Sequence, residues 1–236
     1  MVTVREKFGF AITTVLPLLG KHQRINCAAA VMTLLLLARH EKKLTRTALE
    51  NGIRHVEWPG RFQVFKAGHT DVVLDGAHNP AGITTFCKTY EDVFGDRKRV
   101  FLFSVLADKD YSQMVRELFH EDDYVVCAPA PTPRTSDPKE MAELVPCKAD
   151  WAESLAEGLD KAFAAVAPDQ VLCIVGSLYI QGEVRHIFGK TISFLKPSCR
   201  LRKKRYPSFF RPASRLSKRS VSLWRHSFFV APEWTL

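Results

Sequence analysis

The stretch VVLDGAHNPAG, residues 72–82, joins a short apolar run to small and polar residues, and it decides the fold class. Its first three residues are too few for a helix and do not alternate with polar ones, which is typical of a strand buried on both faces. Asn79 followed by Pro80 favours a helix start, because asparagine caps free N–H groups and proline fits the first turn. The stretch therefore predicts a strand and a helix joined by a loop that holds Asp75 and His78.

The same alternation of strand and helix continues further along the chain. More apolar runs are VFLFSVL from residue 100, YVVCA from residue 124 and VLCIV from residue 171. Helices are predicted over residues 80–94, 110–119 and 151–167. The last helix carries an apolar stripe formed by Trp151, Leu155, Leu159, Ala162, Phe163 and Val166. With a hairpin over residues 61–75, the pattern predicts an α/β fold with a Rossmann-like, mostly parallel sheet.

Residues 1–57 have a different character. A strand is predicted in residues 10–19 and helices in residues 24–40 and 45–56, with little else to pack on. The apolar stretch CAAAVMTLLLLA, residues 27–38, is too short to cross a bilayer and predicts a buried helix. We do not expect this segment to fold as a domain of its own.

The positive charge of the chain is confined to its last part. Residues 191–236 contain 11 lysines and arginines and one acid, so 23 basic and 24 acidic residues remain in residues 1–190. The net charge of +9 therefore gives no reason to expect nucleic acid as a partner of the main body. Residues 191–236 mix serine, arginine, proline and aromatic residues without a period, which predicts a disordered basic tail.

The cysteine pattern and the N-terminus bear on the compartment. No two of the six cysteines have the spacing of metal ligands, and several lie inside apolar runs, which is typical of reduced structural thiols. The six are Cys27, Cys87, Cys127, Cys147, Cys173 and Cys199. The first residues, MVTVREKFGF, do not show a charged region followed by an apolar one, so we do not expect a secretory signal there. Cytosol and mitochondrial matrix both suit this pattern, and we expect a cytoplasmic protein without membrane contact.

Polar residues follow each predicted strand at the point where it ends. In open α/β sheets ligands bind outside the carboxyl ends of the strands, so these residues are expected to meet at one edge. They are Asp75, His78, Asp108, Lys109, Arg134 and Ser177. Each also has a structural interpretation: Asp75 can cap a turn, His78 can be a hydrogen-bonded structural histidine, and Lys109 is a surface charge by default. Their convergence on one edge favours a ligand site.

Five motifs occur in order along the chain: LPLLGKHQRINCAAAV, WPGRFQV, LDGAHNPAG, SVLADKDY and GSLYIQGEVR. Together they resemble the folylpolyglutamate synthase and dihydrofolate synthase family of the Mur ligase superfamily, in its bacterial form. The resemblance runs from about residue 8 to residue 188. It implies an ATP-dependent ligase that phosphorylates a pteroate or folate carboxylate, which L-glutamate then attacks through its amine.

The resemblance also implies roles for individual residues. Asn26, Arg61 and Asp75 match positions that bind the nucleotide: Asn26 near the adenine, Arg61 at the phosphates, and Asp75 at the ribose or the reacting centre. His78 and Ser177 match positions that hold the glutamate, and Asp75 and His78 are the expected catalytic residues. ATP and Mg²⁺ are the implied cofactors, but no metal ligand is predicted in this sequence.

The sequence departs from the family at the phosphate-binding loop. No G-x-x-x-x-G-K-[ST] stretch occurs in the 236 residues, and the family's Mg²⁺ ligands and modified lysine lie in the same missing region. We therefore predict residues 1–57 as the last part of the ATPase domain, residues 58–190 as the C-terminal α/β domain, and residues 191–236 as a tail outside the family pattern. Such an N-terminally truncated sequence is expected to have no ligase activity alone.

Two other functions remain open from the sequence. The chain can be a binding or regulatory module that pairs with a separate ATPase half, or residues 196–225 can bind RNA through charge and aromatic stacking. The acceptor, dihydropteroate or tetrahydrofolate, and the number of glutamates added also remain open. The resemblance implies a monomer.

Overall fold

The computed structural model describes residues 2–5 and 11–194, and the fold is given for these residues. The first part of the chain forms a small hairpin and two helices. Strands β1 (Val2–Arg5) and β2 (Ala11–Thr14) pair antiparallel, and α1 (Lys21–Leu37) and α2 (Arg46–Arg54) follow. A separate small hydrophobic cluster joins these elements, with Ile12, Cys27, Val31 and Leu49 at its centre. The predicted strand and both predicted helices are confirmed.

Helix α1 is not the buried helix that its composition predicts. Only Gln23, Cys27 and Val31 are buried along its 17 residues. Ile25 is 72% exposed and Leu36 is 56% exposed. The reason is geometric, because two four-residue strands and one nine-residue helix can cover only one face of α1. None of the helices among the described residues is long and apolar enough to cross a membrane.

A six-stranded sheet organises the rest of the described chain. Its strands are β3 (Gln63–Ala67), β4 (Thr70–Leu74), β5 (Arg99–Phe103), β6 (Tyr124–Cys127), β7 (Lys148–Trp151) and β8 (Val171–Val175). They lie in the order β3-β4-β8-β5-β6-β7. The β3–β4 hairpin is antiparallel and every other pairing is parallel, which confirms the predicted Rossmann-like α/β fold.

Helices cover both faces of this sheet. The remaining ones are α3 (Pro80–Phe94), α4 (Tyr111–Leu118), α5 (Pro138–Leu144), α6 (Leu155–Ala165) and α7 (Leu178–Phe194). One core joins α3, α4 and α5 to the sheet, and the other joins α6 and α7 to its opposite face. Strands β5 and β8 are buried at every position, as expected from their continuous apolar runs. Asn79 caps α3 by accepting the Gly82 N–H at 2.8 Å, as its position before Pro80 predicts.

Strands β1 and β7 and helix α5 are not predicted from the sequence, and one residue is misplaced. The prediction that Trp151 lies on a helical stripe is wrong, because Trp151 is the last residue of β7 and α6 begins only at Leu155. Strand β7, KADW, lies at the sheet edge and is only half-buried, so it lacks the continuous apolar run of a central strand. Helix α5 has seven residues, too few for a clear period.

The domain boundaries remain predictions. Helix α7 continues to Phe194, four residues beyond the predicted domain end at residue 190. The rest of the predicted tail, and Cys199 within it, lie outside the described residues. The other five cysteines are free thiols. Burial raises the pKa of Cys127 to about 12 and that of Cys147 to about 11, so neither is poised as a thiolate.

Candidate active site

The parallel register brings the ends of four strands to one edge of the sheet. Leu74 of β4 pairs with Ile174 of β8, and Phe103 of β5 lies beside Val175 of β8 on one side and Cys127 of β6 on the other. The loops that follow these strands therefore start side by side. This carboxyl edge is the one that the apolar runs predict as the ligand edge.

A cavity of about 130 Å³ lies at the carboxyl edge. Its lining consists of His78, Leu106, Lys109, Arg134, Ser177, Leu178 and Tyr179. The structure thus brings together the two residues predicted to hold glutamate, His78 and Ser177. Neither Asp75 nor Arg61 lines this cavity.

His78 is held in one tautomer by the backbone. Its Nδ1 lies 2.8 Å from the carbonyl oxygen of Gly76. A carbonyl oxygen can only accept, so Nδ1 carries the hydrogen and donates it. In the neutral ring Nε2 is then left as a hydrogen-bond acceptor, and the described residues offer it no donor. His78 can therefore accept a hydrogen bond or a proton from a ligand in the cavity.

Two cations share the cavity with His78. Lys109 Nζ lies 3.2 Å from Asp108 Oδ2, in a partly exposed pair. Arg134 places its guanidinium 5.9 Å from the centre of the Tyr179 ring and donates to Tyr179 Oη at 3.4 Å. Two cations beside a small cavity favour carboxylate or phosphate ligands. The motif resemblance gave neither residue a role, although both follow buried strands just as Asp75 does.

Ser177 closes the cavity from the start of α7. Its side chain is buried, and its Oγ accepts the N–H of Tyr179 at 3.1 Å. The preceding Gly176 has a φ of +117°, and a Cβ there would collide with the carbonyl oxygen of Ser104. The close approach of the two loops therefore depends on the glycine at position 176.

A second cluster forms around Asp75, beside the cavity. Each of its carboxylate oxygens accepts one backbone N–H at 2.7 Å, from Phe62 and from Ala77. Burial raises the pKa of Asp75 above its usual value, although these two bonds and the charges of Arg61 and His22 oppose the rise. The structure therefore brings together two residues predicted at the nucleotide, Arg61 and Asp75.

His22 joins this cluster from α1, and sequence reasoning missed it. Burial lowers the pKa of His22; the charge of Asp75 opposes this change and that of Arg61 adds to it. The signal for His22 is its place in the motif HQRIN, in which the family resemblance gives a role only to Asn26. Asn26 is exposed and donates to Gln23 Oε1 at 3.2 Å. Among the described residues, no hydrogen bond or ion pair joins Asn26 to Arg61 or Asp75.

A magnesium ion does not find a complete ligand set in this part of the chain. The described residues contain no group of three or more histidine, cysteine, aspartate or glutamate side chains that could hold a metal ion. The described residues therefore offer no all-protein cage for the Mg²⁺ ion that the motif resemblance implies.

The fold defines a class: an α/β domain whose mostly parallel sheet is covered by helices on both faces and has a small cavity at its carboxyl edge. Residues 60–178 match the family described as "Mur ligase, glutamate ligase domain". This match covers half of the chain, and the chain belongs to the Mur ligase family.

Similar proteins agree with this assignment. The "Folylpolyglutamate synthase" of Lacticaseibacillus casei is 34% identical over 72% of this chain and 39% of its own length. The "Probable bifunctional folylpolyglutamate synthase/dihydropteroate synthase" of Halobacterium salinarum is 32% identical over 78% of this chain and 22% of its own length. The structure of Mycobacterium tuberculosis folylpolyglutamate synthase complexed with ADP and AMPPCP is similar to this chain with a TM-score of 0.67 and 29% identity. The match covers 77% of this chain and 43% of the M. tuberculosis chain. This chain thus spans less than half the length of these relatives.

Proposed function

We propose that this chain supplies the glutamate-binding side of an ATP-dependent ligase that joins L-glutamate to a folate or a dihydropteroate. The observation that carries the proposal is the cavity at the carboxyl edge, where His78 and Ser177 meet two cations, Lys109 and Arg134. L-Glutamate presents two carboxylates, which suit two cations, and an amine, which suits a hydrogen-bond acceptor. The names of the relatives support folate or pteroate as the second substrate.

The proposed reaction has two steps. A carboxylate oxygen of the folate or pteroate attacks the γ-phosphorus of ATP, the bond to the β–γ bridging oxygen breaks, and ADP leaves. The amine of L-glutamate then attacks the acyl carbon, the carbon–oxygen bond to phosphate breaks, and inorganic phosphate leaves with the electron pair. Lys109 and Arg134 fix the carboxylates, while Nε2 of His78 accepts the proton that the amine nitrogen releases as the new carbon–nitrogen bond forms.

We assign the nucleotide to the cluster around Asp75. Arg61 offers a positive charge for phosphate oxygens, and Asp75 offers acceptors for ribose hydroxyls. His22 extends this side of the site from α1. Asn26, one turn further along α1, is proposed at the adenine. The adjacency of the cluster to the cavity supports this arrangement.

We also propose that these 236 residues do not catalyse ligation alone. They contain no G-x-x-x-x-G-K-[ST] stretch, and Gly189-Lys190-Thr191 lies within helix α7, so the sequence offers no loop of the kind that cradles the β- and γ-phosphates. A phosphate-binding segment outside these residues would complete the site, either in a longer form of the protein or in a separate partner chain. The free thiols support the cytoplasm as the compartment.

Ligand affinity tests the glutamate site. Nuclear magnetic resonance titration should show L-glutamate binding to the chain, with a dissociation constant on the order of a millimolar because the site is incomplete. His78→Ala and Lys109→Met should each raise the constant about tenfold. His120→Ala, at an exposed histidine that does not line the cavity, is the matched control and should leave it unchanged. Equal affinity in all four proteins would refute the assignment.

Turnover tests the claim that the site is incomplete. The purified chain, given ATP, Mg²⁺, L-glutamate and either tetrahydrofolate or dihydropteroate, should form no product above a His78→Ala control. Product above that control would show that the chain is a complete ligase.

A further inference from the structure

Gln181 is a buried polar residue on an otherwise apolar side of α7. Only 5% of its surface is exposed. The neighbouring inward positions of the helix are apolar, with Ile180, Val184 and Phe188 in the core. A glutamine at such a position needs a reason, because burying an amide lowers stability unless its hydrogen bonds are replaced.

The side chain of Gln181 contacts three segments that carry candidate site residues. Its Nε2 donates to the carbonyl oxygen of Asp75 at 3.1 Å and to that of Ser177 at 3.4 Å. It also packs against Gly60, where an added Cβ would lie only 3.1 Å from Gln181 Cγ. Gln181 is thus wedged between the turn before Arg61, the loop at Asp75 and the start of α7.

The turn that carries Arg61 is held against the Asp75 loop by two further bonds. Gly76 donates its N–H to the carbonyl oxygen of Gly60 at 2.8 Å, and Phe62 donates its N–H to the Asp75 carboxylate at 2.7 Å. Phe62 has a φ of +40°, which side-chain-bearing residues rarely adopt. Such a conformation persists only where its surroundings hold it in place.

The oxygen end of the Gln181 amide finds no hydrogen-bond donor among the described residues. Its Oε1 is buried and accepts no hydrogen bond within the described part of the chain. An unpaired buried acceptor lowers stability, and methionine would fill the same space without one. Packing therefore does not explain a glutamine at this position. What glutamine adds over methionine is the pair of hydrogen bonds that Nε2 donates.

We infer that Gln181 is a positioning residue that couples the two sides of the candidate active site. It ties the turn that presents Arg61, on the nucleotide side, to Asp75 and to Ser177, on the glutamate side. The identity of the two ligands rests on the proposed function, whereas the mechanical coupling rests on the contacts alone. A merely structural glutamine would stabilise the fold; a positioning glutamine holds the turn with little effect on overall stability.

Hydrogen exchange without any ligand tests the coupling. In Gln181→Met the amides of Phe62 and Gly76 should exchange about tenfold faster than in the wild type, while the melting temperature stays within about 3 °C. Gln181→Glu keeps the size and removes the Nε2 donors, so it should loosen the same two amides even if the methionine variant fails to fold. Gln113→Met is the matched control, since Gln113 donates from Nε2 to Glu117 on α4, away from the site. Unchanged exchange at both amides in a folded Gln181 variant would overturn the inference.

Ligand titration separates this inference from the proposed function. In the wild type, saturating ADP should change the dissociation constant of L-glutamate at least about threefold, and Gln181→Met should bring that ratio close to one. If neither ADP nor L-glutamate binds the wild type, the proposed function fails, and hydrogen exchange still decides the role of Gln181. If both bind and the ratio is the same in the variant, the coupling role is refuted.

Discussion

Strand β4 has an aspartate near each end, and the two carboxylates are held in opposite ways. Asp71, near the amino end, pairs with Lys66 and with Arg97, each at 2.8 Å. Burial tends to raise its pKa, but these two partners lower it below its usual value. Asp75, just past the carboxyl end, is held by backbone N–H groups, and burial raises its pKa.

The two edges of the sheet follow the same division. At the amino edge Arg99 forms a two-pronged pair with Asp123, at 2.8 and 2.5 Å, against the rings of Tyr90 and Phe101. At the carboxyl edge the cations line a cavity. A cleft of about 940 Å³ at the amino edge is larger, and two of the cations that line it, Arg97 and Arg99, are paired with buried aspartates. Buried ion pairs at the amino edge therefore contrast with a partly exposed pair, Lys109–Asp108, at the carboxyl edge, which an anionic ligand can displace more easily.

The largest expected effect is the loss of the buried pair at the amino edge. Asp123→Ala leaves Arg99 buried without its partner and should lower the free energy of unfolding by about 3–5 kcal/mol. Urea denaturation measures this change. Replacing both residues, Arg99→Met with Asp123→Leu, should recover most of the loss. If Asp123→Ala alone lowers the free energy of unfolding by less than about 1 kcal/mol, the pair at the amino edge does not anchor the fold.

A glycine substitution probes how closely the loops of the carboxyl edge approach. Gly176→Ala would place a Cβ against the Ser104 carbonyl at a φ of +117°, and should cost about 2–3 kcal/mol in urea denaturation. Gly95→Ala is the matched control, because Gly95 also has a positive φ but nothing within 4 Å of the added Cβ. It should cost about 1 kcal/mol. Equal losses would mean that the close approach is unimportant.

The acid dependence of stability distinguishes the two aspartates of β4. The lowered pKa of Asp71 gives stability that is present above the ordinary value of 3.8 and is lost as the pH falls through the folded-state value. The raised pKa of Asp75 gives the opposite sign: its contribution is present below 3.8 and is lost as the pH rises through the folded-state value.

Two variants measure these contributions. In urea denaturation from about pH 3 to about pH 7, Asp71→Asn should remove part of the loss of stability on acidification, and Asp75→Asn part of the loss on raising the pH. If both variants showed the same dependence of stability on pH, the opposite directions given for the pKa shifts of Asp71 and Asp75 would be contradicted.

The smallest effect is expected at an exposed ion pair. Lys21 and Asp92 lie 3.0 Å apart, with 75% and 40% of their side chains exposed. Lys21→Met should change the free energy of unfolding by less than about 0.5 kcal/mol, because water and salt screen such a pair. A loss comparable to that of Asp123→Ala would show that pairing, rather than burial, decides which charges anchor the fold.

The sequence predicted the central strands well and the periphery poorly. Strands β4, β5, β6 and β8 are buried on both faces, so their apolar runs carry the signal directly. Edge strand β7 and short helix α5 carry no such signal. Helix α1 was wrongly predicted to be buried, because its composition does not show how little of the described chain packs against it.

The candidate site was predictable in part. The rule that ligand residues follow the strands predicted four residues at one edge, and the structure places all four in one cavity: His78, Lys109, Arg134 and Ser177. His22 and Gln181 could not be placed in this way, since neither directly follows a strand of the sheet. Gln181 reaches the site through the packing of α7, which no local pattern encodes.

Chemical-shift mapping of bound L-glutamate on the wild-type chain tests the central claim most directly. The account predicts that L-glutamate shifts the amides of His78, Ser177 and Tyr179 at the carboxyl edge and leaves those of His120 and Asp123 at the amino edge unchanged. Shifts confined to the amino-edge cleft, or no shift at either edge, would contradict it.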